Sequence, residues 1–294
     1  MNRKKSLKIV TVAVVCVCLM AGISAYGQNP TIDIVFHKER DAGDCGSVPN
    51  YSALKAALDT AVQAETSGLN LHMWATIVNR DGIVCAIAFS GKDRGAQWPG
   101  SRVISAQKAN TANAFSLDGS STTGGSGTGT APLLSAGGLA LSTANLYSAV
   151  QPGGSLFGLQ LSNPVDPDIA YDGPSTNFGT SNDPMIGGKI GGVNVFGGGL
   201  GLYTGGKKII GAVGLSGDTS CADHFIAWRV RNLLHLDHLA DTFAVSGDPA
   251  RPDNIVFDFA PNANGGPTSA STGGFGHPKC LFTGDPSSLP AVQP

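Results

Sequence analysis

The sequence predicts an α+β domain: an antiparallel sheet covered by helices and interrupted by long glycine-rich insertions. Three observations lead there. Helical periodicity and hairpin signals follow one another in the order α-β-β-α, insertion, β-β-α, and hairpins interleaved with helices build an antiparallel sheet. Glycine (41) and proline (17) make up close to a fifth of the 294 residues without a Gly-X-Y period, so the excess belongs to loops and not to a collagen-like rod. The 41% hydrophobic fraction suffices for a packed core. A net charge of −2 gives no basic footprint for nucleic acid and no polybasic membrane clamp.

The elements follow in order. Arg3, Lys4, Lys5 and Lys8 precede an apolar run, 9–23, too short for a membrane span. With Ala25-Tyr26-Gly27 before Gln28 it reads as a secretory signal, cut after residue 27 and leaving no stable membrane insertion. The secreted or periplasmic chain then holds 15 basic and 21 acidic residues and four cysteines, Cys45, Cys85, Cys221 and Cys280. An even count in an exported chain allows two disulfides. Cys45 and Cys280 are expected to staple the flanking extensions, to each other or to Cys221, with Cys85 a buried mid-strand thiol.

Asn50 caps a helix over 51–67, with Leu54, Leu58 and Val62 as its buried stripe. Strands are expected at 71–78 and 83–89 around the turn Asn79-Arg80-Asp81-Gly82. Ser101 caps a small-residue helix over 102–115. Residues 116–200 read as an insertion with short strands such as 155–161, nearly all Gly, Ser and Thr at 116–130. A hairpin at 200–215 and a helix at 220–241, with Phe225, Ile226, Val230, Leu233 and Leu234 inward, complete a domain over 28–245. Residues 246–294 form a Pro/Gly-rich extension with a strand-like stretch at 254–259.

Two segments carry a family pattern: Ala106-Gln107-Lys108-Ala109-Asn110-Thr111-Ala112 after the first hairpin, and the strand entering Gly211-Ala212-Val213-Gly214-Leu215-Ser216-Gly217, with Asp223 in the following helix. The chain resembles the GlcG/HbpS family of haem-binding proteins, related to the C-terminal domain of PduO-type proteins, over roughly 50–115 and 190–240. The resemblance implies haem as cofactor, a role in storage, transport or sensing, and a homo-oligomer. The alternative it leaves open is a pocket for a small organic acid, with Lys108 and the Ser216 turn holding the carboxylate.

Haem iron takes His, Met, Cys or Tyr axially. Candidates are His37, His72, His224, His235, His238, His277, Met73, Met185 and Cys85. His72 leads as metal ligand, on the first strand beside Trp74. Lys108, Thr111, Ser216 and His224 complete the candidate cofactor site: a cation for a propionate, two positions in or beside the family motifs, and an imidazole after Asp223. His235 and His238, with Asp237 and Asp241, have i, i+3 spacing on the last predicted helix. Gly214-Leu215-Ser216-Gly217-Asp218 lacks the final glycine of a nucleophile elbow, and Ser105-Ala106-Gln107-Lys108 lacks the partner motifs of a β-lactamase, so no catalytic residue is assigned.

Overall fold

In the computed structural model, residues 45–118, 138–261 and 267–294 are described. The expected leader, His37 and residues 119–130 lie outside them. Asn50 accepts a hydrogen bond from the Ala53 N–H at 3.0 Å, satisfying one orphan donor of helix α1, Tyr51–Ala64. Strand β1 is Trp74–Asn79 and β2 is Val84–Phe89. The first strand starts later than its alternation predicts because the Leu69 and Leu71 N–H groups are taken by the Asp218 carboxylate and not by a neighbouring strand.

Helix α2 spans Ser101–Phe115. Ser101, expected as its cap, is its first residue; Gly100 holds the cap position without a side-chain bond. The expected strand at 155–161 is a run of turns leading into the single-turn helix Leu159–Ser162. Gly153 and Gly158 sit at positive φ and bend the chain there. Strand β3, Gly199–Thr204, and β4, Lys208–Ser216, follow. Helix α3 is Ser220–Leu233, shorter than predicted: His235 turns left-handed at φ 55° and ends the helical path, leaving Leu233 exposed. His235 and His238 therefore do not share a helix face. Asp237 instead accepts from Asn232 and Gln293 side chains.

The sheet runs β2-β1-β4-β3 with every neighbouring pair antiparallel. Alternate residues point to opposite faces. On one face Ala75, Ile77, Val213 and Leu215 meet Leu54 and Leu58 of α1 and Phe225 and Ile226 of α3. On the other, Trp74, Val78, Ile87 and Ala212 meet Val103, Ala106, Ala109 and Ala112 of α2. The small residues of α2 allow a very close approach. A Cβ on Gly214 would lie 2.0 Å from the Ser105 carbonyl oxygen and 2.4 Å from the Ala109 nitrogen.

The C-terminal extension is part of this core. Ile255, Leu289 and Val292 join the α1/α3 face, and Arg231 makes a bidentate pair with Asp253 at 2.6 and 2.8 Å. The strand expected at 254–259 is reduced to β5, Phe259–Pro261, which pairs with β6, Pro267–Ser271. The disulfides are Cys45–Cys85 and Cys221–Cys280. Cys280 finds one of its two expected partners, but Cys85 is no free thiol: β2 is an edge strand, and its half-buried Cys85 is within reach of the segment before α1.

Gly214→Ala should cost about 1–3 kcal/mol, because the methyl meets helix backbone that cannot rotate away. A lowered urea midpoint at unchanged slope is the expected result.

Candidate functional site

β1 begins, β4 ends, and α2 and α3 start at one end of the sheet, and four of the five predicted site residues gather on these elements. Ser216 ends β4 opposite Trp74. Its buried hydroxyl donates to the Ser101 hydroxyl at 3.2 Å, so the strand end is tied to the first turn of α2. Gly217 follows, where a Cβ would lie 2.3 Å from the His72 carbonyl oxygen.

Lys108 is buried. Its Nζ donates to Asp223 Oδ2 at 2.7 Å and to the Leu215 carbonyl at 2.9 Å. Burial lowers the Lys108 pKa and raises that of Asp223 to about 6; their mutual attraction offsets this only in part. An outside carboxylate would have to displace Asp223 to reach this ammonium. Thr111, one turn along α2, donates to the Gln107 carbonyl at 2.7 Å and accepts from the Asn194 N–H at 3.0 Å. His224 is fully buried on α3, and burial pushes its imidazole down to about 3. Its Nε2 lies 3.2 Å from Asn254 Oδ1 and 3.2 Å from the Ile255 nitrogen, while Nδ1 has no partner among the described residues.

His72 differs from these four in being exposed, two residues before β1. Its Nδ1 lies 3.1 Å from Ser90 Oγ, which also accepts from the Met73 N–H at 2.9 Å. With Nδ1 engaged, Nε2 is the ring nitrogen left for a ligand; the tautomer protonated on Nδ1 gives it a lone pair. The loop after β2 is folded against this ring: the Gly91 N–H donates to Gln97 Oε1 at 3.1 Å, and a Cβ on Gly91 would lie 3.3 Å from His72 Cγ. The same loop carries exposed Lys92 and Arg94, and Trp98, which is half exposed and whose carbonyl accepts from Trp74 Nε1 at 3.1 Å.

Among the remaining axial candidates, His235 is exposed in the turn after α3, and His238 Nδ1 lies 2.8 Å from the Pro294 carbonyl. Met73 and Met185 are buried, and Cys85 is in a disulfide. His277 is buried; burial pushes its imidazole down to about 4, and its nitrogens meet Ser220 Oγ at 2.8 Å and the Pro278 carbonyl at 2.7 Å. A cavity of about 500 Å³ lined by Ser148, Gln151, Ser155, Ser271 and Phe275 offers no axial ligand. Sequence reasoning missed Ser90, because only the pairing of β1 with β2 brings it beside His72. It also missed the Ser220–His277 pairing, 57 residues apart.

A four-stranded antiparallel sheet with helices packed on both faces defines an α+β sandwich. The chain belongs to the HbpS-like family: the family described as haem degrading protein HbpS-like matches residues 50–230. No curated protein matches it. Two solved structures are similar. Klebsiella pneumoniae protein ORFY, of the DUF336 family, is 24% identical, with 62% of this chain and 86% of that one covered and a TM-score of 0.37. The PduOC:heme complex is 20% identical, with 62% and 89% covered and a TM-score of 0.38.

Two outcomes follow from the buried charges. Lys108→Ala should cost about 3–5 kcal/mol by stranding the Asp223 carboxylate, and Lys108→Met with Asp223→Leu should recover most of it in chemical denaturation. His224 and His277 stay neutral in the fold but protonate near 6.5 when unfolded, whereas Asp223 keeps its proton in the fold up to about 6. Between about pH 4 and 6 the unfolded chain thus gains two protons at the histidines and lacks one at Asp223. These groups make stability rise with pH across that window, on the order of 1 kcal/mol per pH unit. Urea midpoints from pH 4 to 7 should show the rise, and His224→Gln should flatten it.

Proposed function

We propose that this protein is an exported, non-covalent haem-binding protein, with His72 Nε2 as iron ligand, serving in storage, transport or sensing. The observation that carries the reading is the exposed His72 ring, fixed through Nδ1 by Ser90, in a chain of a family described by its haem chemistry. When bound, haem supplies an iron that takes an axial side-chain nitrogen. The protein's part is to aim that nitrogen, and an Nδ1 hydrogen bond does so. Trp98 offers an exposed flat apolar face on the adjoining loop, and Lys92 and Arg94 offer cations to the propionates. Lys108, Thr111, Ser216 and His224 support the wall behind this site, since Lys108 Nζ, Thr111 Oγ1, Ser216 Oγ and His224 Nε2 face protein partners. The two disulfides and the basic, then apolar, N-terminal run support export.

Titration of residues 28–294 with haemin should give saturable one-to-one binding and a shifted Soret band. His72→Ala should lose the shift, and Ser90→Ala should weaken binding by about tenfold or more while keeping the histidine-ligated spectrum. An unaltered titration in His72→Ala overturns the assignment. Binding of small carboxylates without any haemin saturation would favour the organic-acid reading.

A further inference from the structure

The first turn of α3 holds a second cluster that the haem reading does not use. Cys221, Cys280 and His277 each offer one ligand atom, and these atoms all lie within 4.8 Å of one another. His277 Nδ1 is 4.0 Å from Cys221 Sγ. A tetrahedral zinc site, with Zn–S of about 2.3 Å and Zn–N of about 2.0 Å, needs ligand separations of about 3.5–3.8 Å. Side-chain movements of about 1 Å therefore suffice once the sulfurs are parted. We propose that the Cys221–Cys280 disulfide masks a Cys2His site for Zn2+ or a similar borderline-soft divalent ion, opened by a dithiol reductant.

The surroundings suit both steps. Cys221 is buried whereas Cys280 is partly exposed, so an incoming thiolate attacks Cys280 Sγ and the Cys221 thiolate leaves. Cys221 lies in the first turn of α3, where the positive end of the helix dipole favours an anion. The second thiol of the reductant then attacks its own sulfur in the mixed disulfide and frees the Cys280 thiolate. Two electrons pass from dithiol to cystine, and the reductant leaves as a cyclic disulfide. The Cys221 N–H already donates to Cys280 Sγ at 3.1 Å, and the Thr283 hydroxyl, which donates to the Cys280 carbonyl at 2.7 Å, lies 3.9 Å from Cys221 Sγ. Metal binding releases the two thiol protons. Coordination through His277 Nδ1 exchanges the Pro278 carbonyl for the ion and moves the ring proton to Nε2, which faces the Ser220 hydroxyl at 2.8 Å. That bond orients the ring as an outer-shell partner does. Tyr147 packs on the same ring, 4.8 Å between centroids. Water takes the fourth position.

The test uses Co2+ as a spectroscopic stand-in for Zn2+. The full chain is reduced with tris(2-carboxyethyl)phosphine, desalted without oxygen and titrated, with far-UV circular dichroism on every sample. The expected result is about one Co2+ per folded chain, a thiolate-to-cobalt charge-transfer band and intense tetrahedral d–d bands, all displaced by Zn2+ and absent from the oxidised protein. Cys45→Ser with Cys85→Ser should keep the signal, Cys221→Ser with Cys280→Ser should abolish it, and His277→Ala should weaken affinity by about tenfold or more. A folded, reduced chain without the charge-transfer band overturns the proposal. So does a band that survives loss of Cys221 and Cys280, or a chain that unfolds on reduction of this disulfide alone.

Discussion

A single ammonium joins the two sides of the sheet. Lys108 leaves the helix on one face, passes the end of β4 and reaches Asp223 on the helix of the other face. Burying that charge is expensive unless every donor finds an acceptor, and Asp223 and the Leu215 carbonyl supply two. The consequences spread from there. Asp223 also accepts from the Asp218 N–H at 2.8 Å, and Asp218 takes the N–H groups of Leu69 and Leu71. The chain entering β1 is thereby set by a network that starts on α2, and His72 is the residue that follows Leu71. The exposed imidazole owes its place to a buried lysine it does not touch.

That network works only because backbones approach closely around it. Gly214 lets α2 sit on β4, and a Cβ on Gly198 would come within 3.2 Å of Lys108 Nζ. The motif that carried the family resemblance is thus largely a packing motif. Its glycines admit the helix, its lysine crosses the end of the sheet, and its serine ties strand to helix through Ser101. The long elaborations are anchored by the same device. Arg102 pairs with Asp183 of the insertion and stacks on Phe178, 3.7 Å from the ring centroid, while Arg231 pairs with Asp253 of the C-terminal extension.

Periodicity located the three long helices and four sheet strands, because both signals are local. Their ends were harder to read, because ends are set by partners far away in sequence. The start of β1 depends on Asp218, and the first turn of α2 on Ser216. The end of α3 depends on a left-handed His235 that residue type alone does not announce. Cys85 shows the same limit: a mid-strand cysteine reads as a buried thiol until the strand order makes its strand an edge. At the site, the residue types were legible and their roles were not. Nothing local separates His72, His224 and His277, yet the fold leaves one exposed and buries two.

Burial is what sorts these histidines chemically. A buried neutral imidazole such as His224 is committed to internal partners, and protonating it or drawing it toward an outside ligand costs stability. An exposed ring with one nitrogen hydrogen-bonded keeps its orientation and leaves the other nitrogen open to a ligand. His277 stands between these cases: it is buried beside two cysteine sulfurs, so its neighbours change character when the disulfide opens. The low charged fraction of the chain, 14%, fits this division. Three of its cations, Lys108, Arg102 and Arg231, are spent on buried pairs. Such pairs stabilise little against apolar replacements but penalise any arrangement that separates them. They fix which segments meet, and that alignment leaves His72 and the loop that carries Lys92, Arg94 and Trp98 at one end of the sheet.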